Sequence, residues 1–133
     1  MEKIEEILIN KVEDVIMARQ YTRERARELG FGLADQTRTI TAVSELSRNI
    51  YLYAGTGRVL IKTLSKSSKK GIEIIAEDQG PGIPNIELAM QDGYSTGKWL
   101  GQGLPGTKRL MDEFEIKSEV GKGTTVTVRK WLS

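Results

Sequence analysis

The stretch Glu77-Asp-Gln-Gly-Pro-Gly-Ile-Pro84 places a carboxylate, two glycines and two prolines directly after an apolar run made of Ile72, Ile74, Ile75 and Ala76. The apolar run has the composition of a buried strand, so Asp78 stands where a strand would deliver it to the edge of a pocket. A carboxylate there can accept a hydrogen bond from an exocyclic amine, such as the amino group of adenine. Gly80 and Gly82 permit positive φ and a close approach to a flat ring. A plain surface turn is the alternative for this octapeptide alone.

A second glycine-rich segment, Gly101-Gln-Gly-Leu-Pro-Gly106, stands further along the chain. The helical spacing of Leu110, Met111 and Phe114 predicts that a helix over 107–114 follows it. A helix that begins among glycines presents unpaired backbone N–H groups and a partial positive charge to phosphate oxygens. The segment matches neither the P-loop pattern nor the complete dinucleotide fingerprint, which disfavours both of those classes.

Residues 39–54 are predicted to form a helix, because their apolar positions recur at helical spacing: Ile40, Val43, Leu46, Ile50 and Tyr53. Glu45 and Asn49 lie four residues apart and share one edge of that helix. A carboxylate can take a proton from an attacking hydroxyl group, and an amide oxygen can bind Mg²⁺. Alone, the pair indicates a solvated helix edge. Together with the two glycine loops, the pair is better interpreted as a base and a Mg²⁺ ligand.

Three motifs, in this order and spacing, resemble the N, G1 and G2 boxes of the GHKL ATPase/kinase superfamily: Glu45-x-x-x-Asn49, Asp78-x-Gly-x-Gly82 and Gly101-x-Gly103. Within the superfamily, residues 44–54, 74–84 and 103–114 most resemble the RsbT-type serine/threonine kinases of the bacterial stressosome. Pro105 departs from the wider superfamily pattern and favours this narrower family. The resemblance covers roughly residues 10 to 132.

The resemblance implies a role for each matched position. Glu45 would be the general base, Asn49 would hold Mg²⁺, and Asp78 would read adenine. Thr124, in Gly121-x-Gly-Thr124, would lie near that aspartate. The nucleotide pocket would be lined by the residues of the two glycine loops, namely Gly80, Gly82, Gly101, Gly103, Leu104 and Gly106. ATP and Mg²⁺ are the implied cofactors.

The resemblance also implies partners. The acceptor would be a serine or threonine on a small STAS-domain scaffold or antagonist protein, in a partner-switching pathway of the stress response that regulates a sigma factor. The kinase would then bind and activate a PP2C-type phosphatase. Three alternatives remain: an anti-sigma-factor kinase that sequesters a sigma factor, a non-catalytic ATP-binding switch module, and a stand-alone ATPase. The oligomeric state cannot be read from the sequence.

Composition narrows the class of protein. At 133 residues, one domain over 1–133 is expected. The absence of histidine excludes an autophosphorylating histidine-kinase core, and the absence of cysteine excludes disulfides. A formal charge of +2, with cations dispersed among acids, gives no indication of nucleic-acid binding. The N-terminal residues do not resemble a signal peptide, and the chain has no apolar run long enough for a membrane span, so a cytoplasmic location is expected.

The remaining patterns predict strands near 3–9, 58–64, 71–77, 114–120 and 124–131, with a helix over 11–29 that ends at Gly30. Asp35 is a plausible N-cap for the Glu45 helix, which could equally begin at Ala34 or Gln36. Two predicted hairpins and interspersed helices favour an α+β fold, a two-layer sandwich of a mostly antiparallel sheet with helices on one face. Residues 92–100 form either a lid or an ordinary loop, so Lys98 is assigned no role.

Overall fold

The computed structural model describes residues 3–83, 86–90 and 103–132. Its strands are β1 (Ile4–Ile9), β2 (Gly57–Lys66), β3 (Lys69–Asp78), β4 (Glu113–Glu119) and β5 (Gly123–Trp131). Its helices are α1 (Val12–Leu29), α2 (Leu33–Asn49), α3 (Ile86–Ala89) and α4 (Gly103–Leu110), and a π-helical turn, Ile50–Ala54, continues α2. The strands form one sheet in the order β1-β2-β3-β5-β4, and each neighbouring pair is antiparallel.

The core lies between one face of this sheet and the helices. Alternate residues of β2, β3 and β5 on that face are fully or nearly buried: Val59, Ile61, Ile72, Ile74, Ala76, Val126 and Val128. They share one apolar cluster with Ala18 and Ala26 of α1 and with Val43 and Leu46 of α2. Burial of each large side chain stabilises the fold by roughly 1.5–3 kcal/mol. The predicted α+β sandwich with helices on one face is confirmed.

Both ends of α1 follow from local hydrogen bonds. At its start, Asp14 Oδ2 accepts from the backbone N–H groups of Asn10 and Lys11, at 2.8 and 3.1 Å. At its end, Gly30 adopts φ +93°, and its N–H group bonds to the carbonyl groups of Ala26 and Arg27. A left-handed residue at this position favours glycine. The predicted end at Gly30 therefore agrees with the structure.

The prediction of Asp35 as the N-cap of α2 was wrong, and the predicted start at 34–36 falls one to three residues after the observed start at Leu33. The helix begins at Leu33 after Gly32 in extended conformation, and no side chain caps it. Asp35 lies inside the first turn, where its carboxylate pairs with Arg38 at 2.7 Å instead of capping the helix. Glycine is a tolerated N-cap, and an acid in the first turn complements the helix dipole, so no polar cap was needed.

The other end of α2 also differs from the prediction. Residues Ile50–Ala54 form a π-helical turn, which closes with the N–H group of Gly55 donating to the carbonyl of Ile50 at 2.9 Å. A π turn has more residues per turn than an α-helix, so it rotates the side chains out of the α-helical stripe. Ile50 remains buried, whereas Tyr53 is 42% exposed. Tyr53 is therefore not the core residue that the spacing predicted.

The helix predicted over 107–114 is displaced toward the N-terminus. α4 ends at Leu110, and Phe114 belongs to β4, where it pairs with Val128. Asp112 explains the break, because its N–H group donates to the carbonyl of Arg129 and its Oδ2 atom accepts from the N–H group of Trp131. These bonds bring the chain onto β5 before another helical turn can form. Both predicted hairpins, β2–β3 and β4–β5, are confirmed.

The sheet face away from the helices carries a row of charges across the strands. Glu73 on β3 pairs with Arg129 on β5 at 2.6 Å, and Arg129 pairs with Glu113 on β4 at 2.9 Å. Trp131 Nε1 also donates to Glu113 at 2.5 Å. Within the described residues, no helix is long and apolar enough to cross a membrane.

The Glu113 contacts predict an acid-sensitive contribution to stability. Hydrogen bonds from Trp131 and Arg129 hold the pKa of Glu113 below its usual value. A lowered folded-state pKa gives stability that is present above the unfolded-state pKa and is lost as the pH falls through the folded-state pKa. Glu113→Gln should therefore lower the free energy of unfolding at pH 7 by less than about 1 kcal/mol, because the pair is solvent-screened. Urea unfolding of both proteins at pH 7 and pH 3 measures the difference.

The difference between the two proteins should shrink as the pH falls through the lowered folded-state pKa of Glu113, because the protonated carboxyl group resembles the amide. Glu115→Gln is the matched control, because it removes one exposed carboxylate from the same strand. A difference for Glu113→Gln that stays constant from pH 7 to pH 3 would contradict the prediction.

Candidate functional site

The C-terminal half of α2 carries the two polar residues that the sequence singled out. Glu45 has a side chain that is 16% exposed, and Oε1 pairs with Arg48 Nη1 at 3.1 Å. One turn further, the Asn49 Oδ1 atom is buried and has no hydrogen-bond partner among the described residues. A buried polar atom without a partner costs free energy, so it indicates a group reserved for a ligand or a cation. α2 therefore presents the carboxylate of Glu45 and the amide oxygen of Asn49 on one edge.

A row of four paired residues crosses the end of the sheet beside this helix. Gly57 on β2 pairs with Asp78 on β3, Asp78 pairs with Thr124 on β5, and Thr124 pairs with Ser118 on β4. Because side chains alternate along a strand, this row lies on the same face as the buried Ala76 and therefore faces the helical layer. Asp78 and Thr124 are thus neighbours, as the sequence motifs predicted.

Asp78 also fixes the loop that follows it. Its Oδ1 atom accepts a hydrogen bond from the N–H group of Gly80 at 2.9 Å. A carboxylate has several acceptor positions on two oxygens, so this bond leaves it with capacity to accept from a bound amine. The loop geometry is therefore consistent with the predicted contact between Asp78 and an exocyclic amine.

The missing side chains of three glycines face other parts of the protein. A Cβ atom at Gly57 would lie 2.6 Å from Cγ2 of Ile50, and one at Gly80 would lie 2.7 Å from Cβ of Ala54. A Cβ atom at Gly82, where φ is +78°, would lie 2.3 Å from the carbonyl oxygen of Glu119. The sequence predicted close approach to a ligand. The structure shows close approach to the π-helical turn and to the β4–β5 hairpin.

Only the end of the second glycine-rich segment, from Gly103 onward, belongs to the described residues. Gly101 lies outside the described residues, as does the whole candidate lid, residues 92–100. Gly103 is the first residue of α4, and Leu104 and Gly106 lie in its buried first turns, which pack on α2. Pro105 fits there, because residues in a first helical turn need no intrahelical N–H bond. The structure thus brings the start of α4 beside the helix that carries Glu45 and Asn49.

Sequence reasoning did not single out Ser118, which bonds to three neighbours. Its Oγ atom accepts from the N–H group of Ile83 at 2.7 Å, lies 3.1 Å from the carbonyl oxygen of Gly123 and lies 2.8 Å from Oγ1 of Thr124. The one available signal was the period-2 pattern of β4, which assigns Ser118 to the same face as Phe114 and Ile116.

A cavity of about 330 Å³ opens at this end of the sheet. Asp78, Ser118 and Thr124 contribute to its lining, together with residues on both sides of the β4–β5 hairpin. Its volume lies in the range of small-molecule sites and suffices for a group of the size of a nucleobase. Among the described residues, no cluster of three or more acidic residues could hold a metal ion. A cation would therefore need oxygens from its ligand besides the amide of Asn49.

Residues 34–133 match the model of a family described as histidine kinase-, DNA gyrase B-, and HSP90-like ATPase. The chain belongs to this family. The match contains the Glu45–Asn49 pair, Asp78 and Thr124. The superfamily resemblance drawn from the three motifs is therefore confirmed.

Individual relatives in the family narrow the comparison. The chain is 58% identical over 119 residues to the serine/threonine-protein kinase RsbT of Bacillus subtilis (strain 168), covering 90% of each chain. It is 37% identical over 98 residues to the anti-sigma F factor of Thermoanaerobacter sp. (strain X514), covering 69% of this chain and 67% of that protein. The narrower resemblance to RsbT-type kinases is thereby confirmed.

A solved structure supports the fold. The RsbU and RsbW domains of Rv1364c from Mycobacterium tuberculosis superimpose with a TM-score of 0.66 at 18% identity. The match covers all of this chain and 33% of that one. At this identity the likeness supports the family fold of the sheet and helices.

The contacts of Gly82 predict how the family loop responds to a side chain. Gly82→Ala should destabilise the protein by more than Gly121→Ala. The two positions have nearly equal φ, +78° and +81°, but only a Cβ atom at Gly82 would overlap a neighbouring atom. No described atom lies within 4 Å of a Cβ atom at Gly121. Gly121→Ala should therefore cost only the left-handed strain, about 1–2 kcal/mol. Thermal unfolding and titration with ATP measure the two effects.

Gly82→Ala should also weaken ATP binding, because the loop must leave the hairpin to make room. Equal stability and equal ATP affinity for the two variants would contradict the importance of this contact.

Proposed function

We propose that the protein is a serine/threonine kinase that transfers the γ-phosphoryl group of ATP to a protein hydroxyl group. The observation that carries the proposal is the buried Asn49 Oδ1 atom, which has no partner among the described residues and lies one helical turn from Glu45 on the same helix edge. A base and a cation ligand in this relation serve phosphoryl transfer, which depends on positioning and on neutralising charge. The similarity to RsbT of Bacillus subtilis supports the same assignment.

The adenine end of the pocket would be formed by Asp78 and Thr124. Asp78 accepts a hydrogen bond from the exocyclic amine, and Thr124 contacts the adjacent ring edge. Gly80 and Gly82 hold the loop in place. Because neither residue has a Cβ atom, the loop can pack closely on the π-helical turn and on the hairpin. The phosphates would lie toward α4, whose first turns contain Gly103, Leu104 and Gly106. Gly101 would contact them as well. Unpaired N–H groups at that helix start favour anionic groups.

Asn49 would bind Mg²⁺ through Oδ1. A bound Mg²⁺ would reduce the negative charge of the phosphate groups. The amide oxygen suits this role, because Mg²⁺ prefers oxygen ligands and retains several waters, so one protein ligand is enough.

Glu45 would act as the general base toward the acceptor hydroxyl group. Arg48 binds one carboxylate oxygen at 3.1 Å and so fixes the side chain along the helix edge. The carboxylate retains further acceptor positions for the hydroxyl proton. Positioned base catalysis of this kind contributes about 10²–10⁴-fold to the rate.

We further propose that the acceptor is a serine or threonine of a STAS-domain scaffold or antagonist protein in a partner-switching pathway. On release, the kinase would bind and activate a PP2C-type phosphatase. Support comes from the names of the relatives, which include a serine/threonine-protein kinase and several anti-sigma F factors. The direct measurement is transfer of ³²P from γ-labelled ATP to the purified STAS-domain protein in the presence of Mg²⁺.

An anti-sigma-factor kinase is the second candidate, because the anti-sigma F factor relatives match at 37% identity. The kinase named RsbT matches at 58% identity over 90% of the chain, so it is the better guide. Co-purification with a sigma factor, without transfer to a STAS-domain protein, would favour the second candidate. Hydrolysis of ATP at the same rate with and without an acceptor would instead indicate a stand-alone ATPase.

Asn49→Leu should remove the Mg²⁺-dependent part of ATP affinity. Removing the oxygen ligand should weaken binding with Mg²⁺ by at least about tenfold. Binding in EDTA should be unchanged, because the base end of the pocket is intact. Calorimetric titration of ATP under both conditions gives the comparison.

Asn49→Asp is the matched variant, since it keeps an oxygen at the same position and should retain the Mg²⁺ dependence. If the ATP affinity of Asn49→Leu still depends on Mg²⁺ as strongly as that of the unmodified protein, Asn49 does not bind the cation.

Glu45→Gln should reduce phosphoryl transfer by about 10²–10⁴-fold while ATP affinity stays within about threefold, because the amide keeps the shape but cannot accept the proton. Asp35→Asn is the control, since it breaks a similar ion pair with the arginine three residues on in the same helix. The radiolabel assay should show near-normal transfer for Asp35→Asn.

Undiminished transfer by Glu45→Gln would exclude Glu45 as the base. If Glu45→Gln loses transfer but still regulates the phosphatase in a reconstituted system, the non-catalytic switch module becomes the better description.

A further inference from the structure

The β2–β3 hairpin carries two exposed lysines on the sheet face away from the helices. Lys66 and Lys69 flank the turn of this hairpin and pair directly across it. Neither lysine has an acidic partner among the described residues. Because side chains alternate along a strand, the half-buried Leu64 and the ring of Trp131 lie on the same face. Leu64, Lys66, Lys69 and Trp131 form the hairpin patch.

Contacts on two sides hold the indole ring of Trp131 within this patch. Trp131 pairs with Gly71, and a Cβ atom at Gly71 would lie 2.8 Å from Cε3 of the ring. On one side, the Lys69 Nζ atom lies 5.9 Å from the ring centre, where a cation is attracted to an aromatic face. On the other side, Trp131 Nε1 donates to Glu113. The patch therefore combines two cations with a half-buried aromatic ring of fixed orientation.

Two features of the hairpin lower the stability of the fold. Lys66 lies directly opposite Lys69, and like charges in this relation are destabilising. Ser67 and Ser68 adopt φ of +50° and +63°, a conformation for which glycine and asparagine are better suited. Locally unfavourable features of this kind concentrate at functional sites. The hairpin tip therefore has the character of a binding surface.

The hairpin patch lies far from the candidate nucleotide site. Lys69 and Asp78 are the first and last residues of β3, so they lie about 30 Å apart at roughly 3.3 Å per residue. The patch also faces away from the helical layer that contains α2. A molecule bound to the patch therefore leaves Glu45 and the base-binding end uncovered.

The charges and the apolar surface of the patch define what would bind there. Two ammonium groups without acidic partners favour carboxylate groups, and the exposed parts of Leu64 and Trp131 favour one large apolar side chain. Two lysines are few compared with the phosphate contacts that hold a nucleic acid, and Glu113 beside Trp131 would repel a continuous row of phosphates. An extended acidic protein segment can place its carboxylates at the lysines and avoid this glutamate.

We infer that the hairpin patch binds an acidic segment of a partner protein that carries one large apolar side chain. Lys66 and Lys69 pair with the carboxylates of the segment, and its apolar side chain packs on Trp131 and Leu64. This inference goes beyond the proposed function and does not depend on phosphoryl transfer, because no residue of the patch belongs to α2 or to the base-binding end.

The probe for the test is a short synthetic peptide in which aspartates and glutamates surround one leucine. Its addition to the ¹⁵N-labelled protein should shift the backbone N–H signals of Lys66, Lys69, Gly71 and Trp131 and leave that of Thr124 unchanged. The affinity should fall as the salt concentration rises, because exposed charges are screened. A peptide with glycine in place of the leucine should bind more weakly, since it lacks the apolar contact.

Lys66→Glu separates binding from folding. It replaces a like-charge pair by an opposite-charge pair across β2 and β3, so it should raise the midpoint of urea unfolding. The same change should weaken peptide binding by about tenfold or more, because an attraction becomes a repulsion. Lys66→Arg keeps the charge and should retain the affinity within about threefold. Lys11→Glu makes the same change of net charge at an exposed residue before α1 and should leave the affinity unchanged.

The outcomes are distinct. Shifts at the hairpin patch that Lys66→Glu weakens and Lys66→Arg retains support the inference. It is overturned if the acidic peptide causes no shifts there, if the leucine and glycine peptides bind equally, or if Lys11→Glu weakens binding as much as Lys66→Glu does. Tighter binding of oligothymidylate or of phosphatidylserine vesicles at the patch also overturns it. Titration of the same labelled protein with ATP tests the proposed function separately, through the signals of Asp78 and Thr124.

Discussion

The candidate site depends on close backbone contact at one end of the sheet. Gly57 and Gly80 allow the π-helical turn to touch β2 and the Asp78 loop, and Gly82 and Gly123 allow that loop and β3 to touch the β4–β5 hairpin. A single methyl group at any of the four would overlap a neighbouring atom, because a Cβ atom there would approach to under 3.0 Å, which is shorter than van der Waals contact. The position of Asp78 relative to α2 and to Thr124 follows from these contacts.

One buried polar atom of the site lowers the stability of the protein, and the rest of the fold offsets this loss. The buried amide oxygen of Asn49 has no partner in the described part of the chain, which is unfavourable in the absence of a ligand. The apolar layer between the sheet and α1 and α2 provides the stability that allows it. Such unsatisfied groups concentrate at functional sites, where binding supplies the missing interaction. The same helix therefore supplies core residues on one side and a binding edge on the other.

The sequence patterns predicted the sheet and both hairpins, because alternation in β5 reflects burial on one face. The family resemblance implied that Thr124 lies near Asp78, and the two residues pair across β3 and β5. The sequence patterns failed where tertiary contacts override local spacing. The π-helical turn displaced Tyr53 from the core, and the bonds of Asp112 to β5 ended α4 early. Ser118 was missed because its importance comes from partners distant in sequence, which periodicity does not reveal.

The strand order has a consequence for folding during synthesis. β5 is made after every other strand, yet it lies between β3 and β4. Until β5 leaves the ribosome, β3 has an unpaired edge that carries Ile72 and Ile74, and β4 lacks the neighbour that joins it to the sheet. Unpaired apolar edges promote association between chains. β3 and β4 therefore remain open to association with other chains until β5 is inserted between them.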